Sequence, residues 1–177
     1  MYEIALKSEV GVDYTNLHDL LGAKNWAEAD WETFRVMLRA SRSTDDYVGN
    51  MREFPCTDLK TIDKLWSHYS NGHFGLSVQK QIWNTMGGQL DTLPRRQSDC
   101  NYDLLYNEFP PCVGWKRGDL YLSRDNLIYS LDAPAGQLPA TWVQADTVVG
   151  GIDQIFAAWV RLEACDISKI SKIQYPE

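Results

Sequence analysis

The chain has 177 residues, a length typical of one domain, and its 44% hydrophobic and 23% charged content excludes disorder as the overall state. It carries 17 Lys and Arg against 24 Asp and Glu, and this net charge of −7 argues against nonspecific binding to nucleic acid or anionic membranes. The longest apolar run, 155–160, is far shorter than the roughly 20 residues that cross a bilayer. We therefore expect one monomeric globular domain over 1–177, with no transmembrane segment and no nucleic-acid partner.

The cysteines and the short motifs exclude several kinds of site. Cys56, Cys100, Cys112 and Cys165 form no CxxC pair, which argues against zinc-ribbon and thioredoxin-type sites. The first four residues lack the basic start and apolar run of a signal peptide, so we expect four reduced thiols in a cytosolic compartment. No standard catalytic motif is present, and three scattered histidines suggest neither a catalytic constellation nor a ligand set. The sequence therefore predicts no enzyme and no protein-bound metal.

Apolar residues recur at helical spacing along most of the chain, which predicts an all-α fold of about seven helices. In chain order, we expect helices at 14–21, 26–38, 58–69, 77–86, 99–109, 125–131 and 152–164. Residues 120–122 favour either a short strand or a helical turn. The segments 41–57 and 132–151 remain as loops, and loops longer than about 12 residues in compact domains are often functional.

Several residues give the expected helix ends. Asp13 and Ser77 are candidate N-caps for the first and fourth helices, and Asn25 with Glu28 has the spacing of a capping box. Pro110-Pro111 is expected to end the fifth helix.

Aromatic residues make up 12% of the chain, which suits either a ligand-binding surface or an aromatic core. Trp66, Trp83 and Trp159 lie on periodic helical faces, so we expect them in the core.

Two blocks carry a specific family pattern. The first reads FPCTDLKTIDKLW at 54–66, then YSNGHFGLSVQKQIW at 69–83 and Gly87-Gly88. The second contains VGWK at 113–116 and APAGQLP at 133–139, in the expected order and spacing. This sequence resembles the "genomes uncoupled" family of porphyrin-binding regulators of magnesium chelatase, found in oxygenic phototrophs such as cyanobacteria. The resemblance covers about 13–165, most of the chain.

The resemblance implies an all-helical domain with a hydrophobic tetrapyrrole cleft formed by long loops. Members hold protoporphyrin IX and Mg-protoporphyrin IX, and some hold bilins, without catalysing a reaction. The implied partner is the large porphyrin-binding subunit of magnesium chelatase, which the family stimulates in the chlorophyll biosynthesis of photosynthesis. The implied location is the cytoplasm or stroma, with peripheral contact to the thylakoid membrane as an option.

The resemblance and the glycine-flanked turns together suggest which residues line the cleft. For each apolar candidate, the alternative of a core residue that braces a loop stays open. The apolar candidates are Phe74, Val113, Trp115, Tyr121, Leu138 and Trp142, and the candidates for pairing with ligand carboxylates are Lys116, Arg117, Arg124 and Arg161.

Three positions depart from the family pattern. Gln137 stands where the family motif usually has His, and Tyr121 stands where a Trp is expected. No Lys or Arg occurs between Arg124 and Arg161, although the family's loop before the last helix commonly carries a basic residue. An alternative function is therefore a divergent bilin-binding or protein-interaction sensor module without chelatase coupling.

Overall fold

The computed structural model describes residues 4–42, 50–91, 97–99, 101–140 and 148–170, with side chains of the last helix described over 151–166. Within these residues it is mostly helical, which confirms the predicted all-α class. The α-helices are α1 Thr15–Gly22, α2 Trp26–Ser41, α3 Cys56–Tyr69, α4 Leu76–Thr85, α5 Phe109–Cys112 and α6 Val148–Ile170. Two short 3-10 helices, at Met51–Glu53 and Arg124–Asn126, and a π-helix at Leu104–Glu108 complete the helical part. Strands β1 Lys116–Arg117 and β2 Leu120–Tyr121 form one antiparallel hairpin, which settles 120–122 as part strand.

The helix ends differ from the sequence expectation in several places. The capping box at Asn25 is not formed, since its side chain makes no cap hydrogen bond. Ser77 does not cap α4 but lies inside it, where its backbone N–H donates to Asp63 Oδ1 of α3 at 2.8 Å. The N-cap of α1 is Tyr14 rather than the predicted Asp13, whose side chain accepts from the backbone N–H of Thr15 at 2.9 Å in a local turn. A carboxylate from a neighbouring helix therefore replaces the local cap that the sequence suggested for α4.

The second half of the chain differs from the sequence prediction in three places. The predicted helix at 125–131 is only the 3-10 turn Arg124–Asn126. The last helix runs over 148–170 instead of 152–164, because its glycines, Gly150 and Gly151, do not interrupt it. Pro110-Pro111 do not end a helix but occupy the first turn of α5, where a missing N–H is tolerated.

One hydrophobic core joins the described elements, and its large side chains form two aromatic clusters. Trp26, Trp66 and Phe74 make the first, with ring centroids 5.4–6.2 Å apart. Trp83 and Trp159 centre the second, 5.9 Å apart. Phe109 and Phe156 pack against this second pair, and Trp115 packs on Phe109. The predicted core positions of Trp66, Trp83 and Trp159 are confirmed, since all three are fully buried.

The expectation of four reduced thiols is wrong for one pair. Cys56 opens α3 and Cys165 lies near the end of α6, and their sulfurs form a disulfide across 109 residues. The packing of α3 against α6 brings the two Cα atoms to 5.6 Å, a proximity that sequence spacing does not encode. Cys112 is free and exposed, and Cys100 lies outside the described residues.

Candidate functional site

The segment 133–140 is fixed to the turn at 73–75 by three hydrogen bonds. Gly75 N–H donates to the Leu138 carbonyl at 3.0 Å, and Gly136 N–H donates to the His73 carbonyl at 2.9 Å. The His73 imidazole lies 2.7 Å from the Ala133 carbonyl, so Nε2 carries the proton of this contact. The two sequence blocks that carry the family pattern are therefore one unit in space.

Two buried glutamines complete this unit. The Gln79 side-chain amide donates to the carbonyls of Gly136 and Pro139, both at 3.0 Å. Gln137 donates to the Gly114 carbonyl at 3.0 Å and accepts from Ile128 N–H at 2.9 Å. The departure at Gln137 is thus an internal structural contact in this chain. Its side chain is committed to the backbone and is only 1% exposed.

Four of the predicted cleft residues belong to the interior of the structure. Phe74, Val113, Trp115 and Leu138 have no exposed side-chain surface, and Trp115 Nε1 donates to the Gln137 carbonyl at 2.7 Å. Their geometry is that of residues that brace a loop, the alternative that the sequence left open. Their contact with a ligand stays a prediction. Tyr121 is half-buried, and Trp142 lies outside the described residues.

The described part of the long loop, 132–140, packs directly on the Phe74 turn. The cleft expected between them is therefore not found in that part of the loop, and the rest of its expected wall, 141–147, lies outside the described residues. Ala140 N–H donates to Asp30 Oδ1 of α2 at 2.7 Å, so this loop is anchored to α2 just before residue 141.

The hairpin β1–β2 is attached to the π-helix through a carbonyl that the helix itself cannot use. The carbonyl of Tyr106 would accept from residue 110 in an α-helix or from residue 111 in a π-helix, and both are proline. The Tyr121 hydroxyl donates to this carbonyl at 3.1 Å. The Tyr106 hydroxyl in turn donates to Asp153 of α6 at 2.6 Å. Pro110-Pro111 thereby create the acceptor that links the hairpin, the π-helix and α6.

The two tyrosines in this linkage are held as protonated donors. Burial raises the pKa of Tyr121 to about 12, with a further contribution from Tyr102. Burial and the hydrogen bond to Asp153 raise the pKa of Tyr106 as well. Both phenols therefore remain donors at every pH at which the chain is expected to be folded.

The four basic candidates separate into two pairs. Arg124 donates to the Ala27 carbonyl at 2.5 Å and lies 4.2 Å from the centre of the Trp31 ring, and Arg161 donates to the Phe54 carbonyl at 2.7 Å. The Lys116 ammonium lies over the Tyr121 ring at 5.4 Å and Arg117 is exposed. Lys116 and Arg117 lie on β1 and are thus less committed to backbone carbonyls than Arg124 and Arg161, with their side chains on opposite faces of the hairpin.

Exposed apolar side chains occur beside these cations. Among the described residues, the exposed large hydrophobic side chains are Leu6, Leu120, Ile128 and Leu131, and Leu120 is 75% exposed. Three of them lie between 116 and 131. We call residues 116–131 the amphipathic segment, because this stretch of sequence contains both cations and exposed apolar groups, and Leu120 pairs with Arg117 across the hairpin.

The described residues contain no group of three or more His, Cys, Asp or Glu residues arranged to hold a metal ion. None of the helices in these ranges has the length and apolar character needed to cross a membrane.

The model of the GUN4-like family matches residues 7–150, which include both sequence blocks and the unit they form. The chain belongs to the GUN4-like family. The predicted resemblance is therefore confirmed.

Solved structures of GUN4 proteins share the fold. GUN4 from Chlamydomonas reinhardtii matches with a TM-score of 0.64 and 29% identity, over 89% of this chain and 94% of that one. The ligand-free structure of Arabidopsis thaliana GUN4 matches with a TM-score of 0.62 and 25% identity, over 85% and 95% of the two chains.

Curated relatives are longer than this GUN4-like chain. A Ycf53-like protein of Synechocystis sp. is 31% identical over 140 residues, which are 76% of this chain and 53% of that protein. A chloroplastic tetrapyrrole-binding protein of Arabidopsis thaliana is 34% identical over 80 residues, 42% of this chain and 30% of that protein. The matched region thus spans about half or less of these relatives.

Sequence reasoning missed the residues that hold the unit together. His73 and Gln79 stand in the first family block, and two polar residues in a mostly buried motif were a usable signal. Tyr106 lies within the helix predicted at 99–109, and periodicity alone assigns it no further role. The two missing N–H groups of Pro110-Pro111 were the signal that its carbonyl needs another donor.

Proposed function

We propose that this GUN4-like chain binds a tetrapyrrole, protoporphyrin IX or Mg-protoporphyrin IX, without catalysis, and stimulates magnesium chelatase through its large porphyrin-binding subunit. Membership of the family and the relative named as a tetrapyrrole-binding protein support the ligand class. A cytoplasmic or stromal location, with peripheral contact to the thylakoid membrane, is part of this proposal.

The observation that carries the proposal is the amphipathic segment. A porphyrin offers a large apolar face and two carboxylates, so its site needs apolar surface beside cationic or N–H donors. Lys116 and Arg117 supply the cations, and Leu120, Ile128 and Leu131 supply exposed apolar surface. The residues present therefore fit a dicarboxylic macrocycle, and they fit a bilin, which has the same two kinds of group.

In this proposal the predicted site residues divide between two roles. Lys116 and Arg117 pair with ligand carboxylates, and Tyr121 holds the hairpin that carries them. Phe74, Val113, Trp115 and Leu138 form the packed floor, while Arg124 fixes the amphipathic segment to α2. Trp142 remains a predicted ligand contact.

The test is a titration with protoporphyrin IX, Mg-protoporphyrin IX, haemin and a bilin, followed by quenching of the fluorescence of the seven tryptophans. Replacing both Lys116 and Arg117 with Ala should weaken binding of the dicarboxylic porphyrin about 10-fold, the equivalent of one charge-assisted contact. The same variant should bind the porphyrin dimethyl ester as the parent does, because the ester has no carboxylates. Lys64→Ala, an exposed lysine on α3, is the matched control and should change nothing.

The outcomes separate the candidate functions. Saturable porphyrin binding with the expected carboxylate dependence supports the proposal, and a faster initial rate of purified magnesium chelatase in the presence of the chain supports its second half. Binding of the bilin but of no porphyrin would show that the ligand of this chain is a linear tetrapyrrole. No binding of any of the four ligands would overturn the proposal and favour a protein-interaction module.

A further inference from the structure

The Cys56–Cys165 disulfide joins the first residue of α3 to a position close to the end of α6. Its two cysteines are 109 residues apart, so the bond closes a covalent loop that contains both family blocks and the amphipathic segment. Cys56 stands in the first family block, whereas its partner Cys165 lies outside both blocks, so the family pattern as quoted contains only half of this bond. The disulfide is therefore a feature of the chain that tetrapyrrole binding does not explain.

Noncovalent contacts hold the same helix end more weakly. Lys60 of α3 donates to the Cys165 carbonyl at 3.0 Å and pairs with Asp166 at 2.8 Å. Arg161 donates to the Phe54 carbonyl at 2.7 Å. Asp166 is largely exposed, and ion pairs that reach solvent contribute little to stability. The covalent bond is thus the strongest restraint on this end of α6.

We propose that Cys56–Cys165 is a reversible thiol–disulfide site whose state controls how firmly α6 is held against α3. This inference rests on the proposed cytoplasmic or stromal location, because disulfides in reducing compartments are usually redox-sensing or catalytic rather than permanent. Cys56 is half-buried whereas Cys165 is 1% exposed, so an incoming thiolate reaches the Cys56 sulfur. Cys56 is also the first residue of α3, where backbone N–H groups stabilise a thiolate and favour the reduced form.

The substrate partner is a dithiol reductant. Its thiolate attacks Cys56 Sγ, forms a mixed disulfide and releases the Cys165 thiolate, which takes up a proton. The second thiol of the reductant then attacks the first reductant sulfur, which is bonded to Cys56 in the mixed disulfide, and releases the Cys56 thiolate. Two electrons and two protons pass to the cysteine pair, and the reductant becomes a disulfide. Reoxidation is the reverse exchange with an oxidised dithiol protein.

Reduction leaves the end of α6 held by noncovalent contacts, namely the Lys60 and Arg161 hydrogen bonds, the Lys80–Glu163 ion pair and the packing of Leu162 in the core. The same helix carries Asp153, the acceptor of the Tyr106 hydroxyl, near its other end. A more mobile α6 would therefore also weaken the Tyr106–Asp153 hydrogen bond that supports the π-helix.

The experiment follows the redox state of the whole folded chain with dithiothreitol as the dithiol probe. Peptide mass spectrometry after alkylation reports whether Cys56 and Cys165 are linked, thermal unfolding reports stability, and hydrogen exchange reports the amides of 156–166. We expect a linked pair without reductant, its reduction while the chain stays folded, a fall of about 10 °C in the unfolding midpoint and faster exchange in α6.

Two variants make the outcome decisive. Cys112→Ser should behave as the parent, because it leaves the linked pair in place. Cys56→Ser with Cys165→Ser should match the reduced parent whether or not dithiothreitol is present. The proposal is overturned if the pair stays unlinked under an oxidised dithiol, if it is reduced only when the chain unfolds, or if reduction leaves exchange in α6 unchanged.

Discussion

Replacing Tyr121 with Phe tests whether the hairpin is held by the Tyr106 carbonyl, whose α-helical and π-helical donor positions are both proline. The substitution removes only the hydroxyl that donates to the Tyr106 carbonyl at 3.1 Å. A typical hydrogen bond contributes about 0.5–1.5 kcal/mol, and a buried acceptor left unsatisfied costs about 1–3 kcal/mol. Because Pro110 and Pro111 offer no replacement donor, we expect Tyr121→Phe to lower the free energy of unfolding by about 2 kcal/mol.

The matched background is Pro110→Ala, which restores an N–H four residues after Tyr106. In that background the new amide can donate to the Tyr106 carbonyl, so the hydroxyl of Tyr121 becomes less important. We expect Tyr121→Phe to cost less than about 1 kcal/mol there, which gives a coupling energy of at least about 1 kcal/mol.

Urea unfolding of the parent, both single variants and the double variant measures the cycle. In the parent background, Tyr121→Phe should also lower the thermal midpoint by about 4–8 °C. An equal cost of Tyr121→Phe in the two backgrounds would show that the prolines do not make this carbonyl dependent on the hydroxyl. The reasoning about the π-helix would then be refuted.

Two further predictions concern stability. Burial raises the pKa of Asp63 above its ordinary 3.8, despite the Ser77 N–H donor, so the folded chain holds this proton more tightly than the unfolded chain. The stability that Asp63 contributes is then present below pH 3.8 and lost as pH rises through the raised pKa. In urea unfolding across this range, the parent should lose stability relative to Asp63→Asn as pH rises. The Thr15 hydrogen bonds lower the pKa of Asp13, so the parent should gain stability relative to Asp13→Asn as pH rises. Gly114→Ala and Gly118→Ala both place Ala at positive φ, 73° and 59°, but only at Gly114 does the new Cβ meet neighbours, at 2.5 Å from Gln137 and 2.9 Å from Pro134. We expect a loss of about 1 kcal/mol at Gly118 and two to three times that at Gly114, and equal urea midpoints would contradict the packing described there.

The helical class follows from periodicity, because apolar residues that recur about every 3.6 positions form the helix face that packs in the core. Trp66, Trp83 and Trp159 were therefore predictable, and so was the approximate place of the first four helices. Contacts between distant residues were not. Asp63 of α3 caps α4. Sequence rules for N-caps consider only residues next to the helix start, so they select Ser77 instead.

The same limit applies to the disulfide and to the candidate site. Spacing cannot report that Cys56 and Cys165 meet, since that depends on how α3 and α6 pack. Phe74 and Trp115 were singled out because glycine turns flank them, but the turn serves to bring the loop onto them. A glycine beside an aromatic residue indicates a close backbone approach, and it does not say whether the approaching group is a ligand or the chain itself.

The loop at 133–140 takes its path from residues outside it. His73, Gly75, Gln79 and Asp30 bind its backbone atoms, and those atoms are present whatever side chains the loop carries. Ala135, the exposed position of this loop, and the adjacent Asp132 can therefore be varied while the loop keeps its shape, as long as the buried Gln137 is retained. Substitutions at these positions would then change the chemistry of the loop surface without altering its backbone path, so the loop is a suitable place to select new binding surfaces.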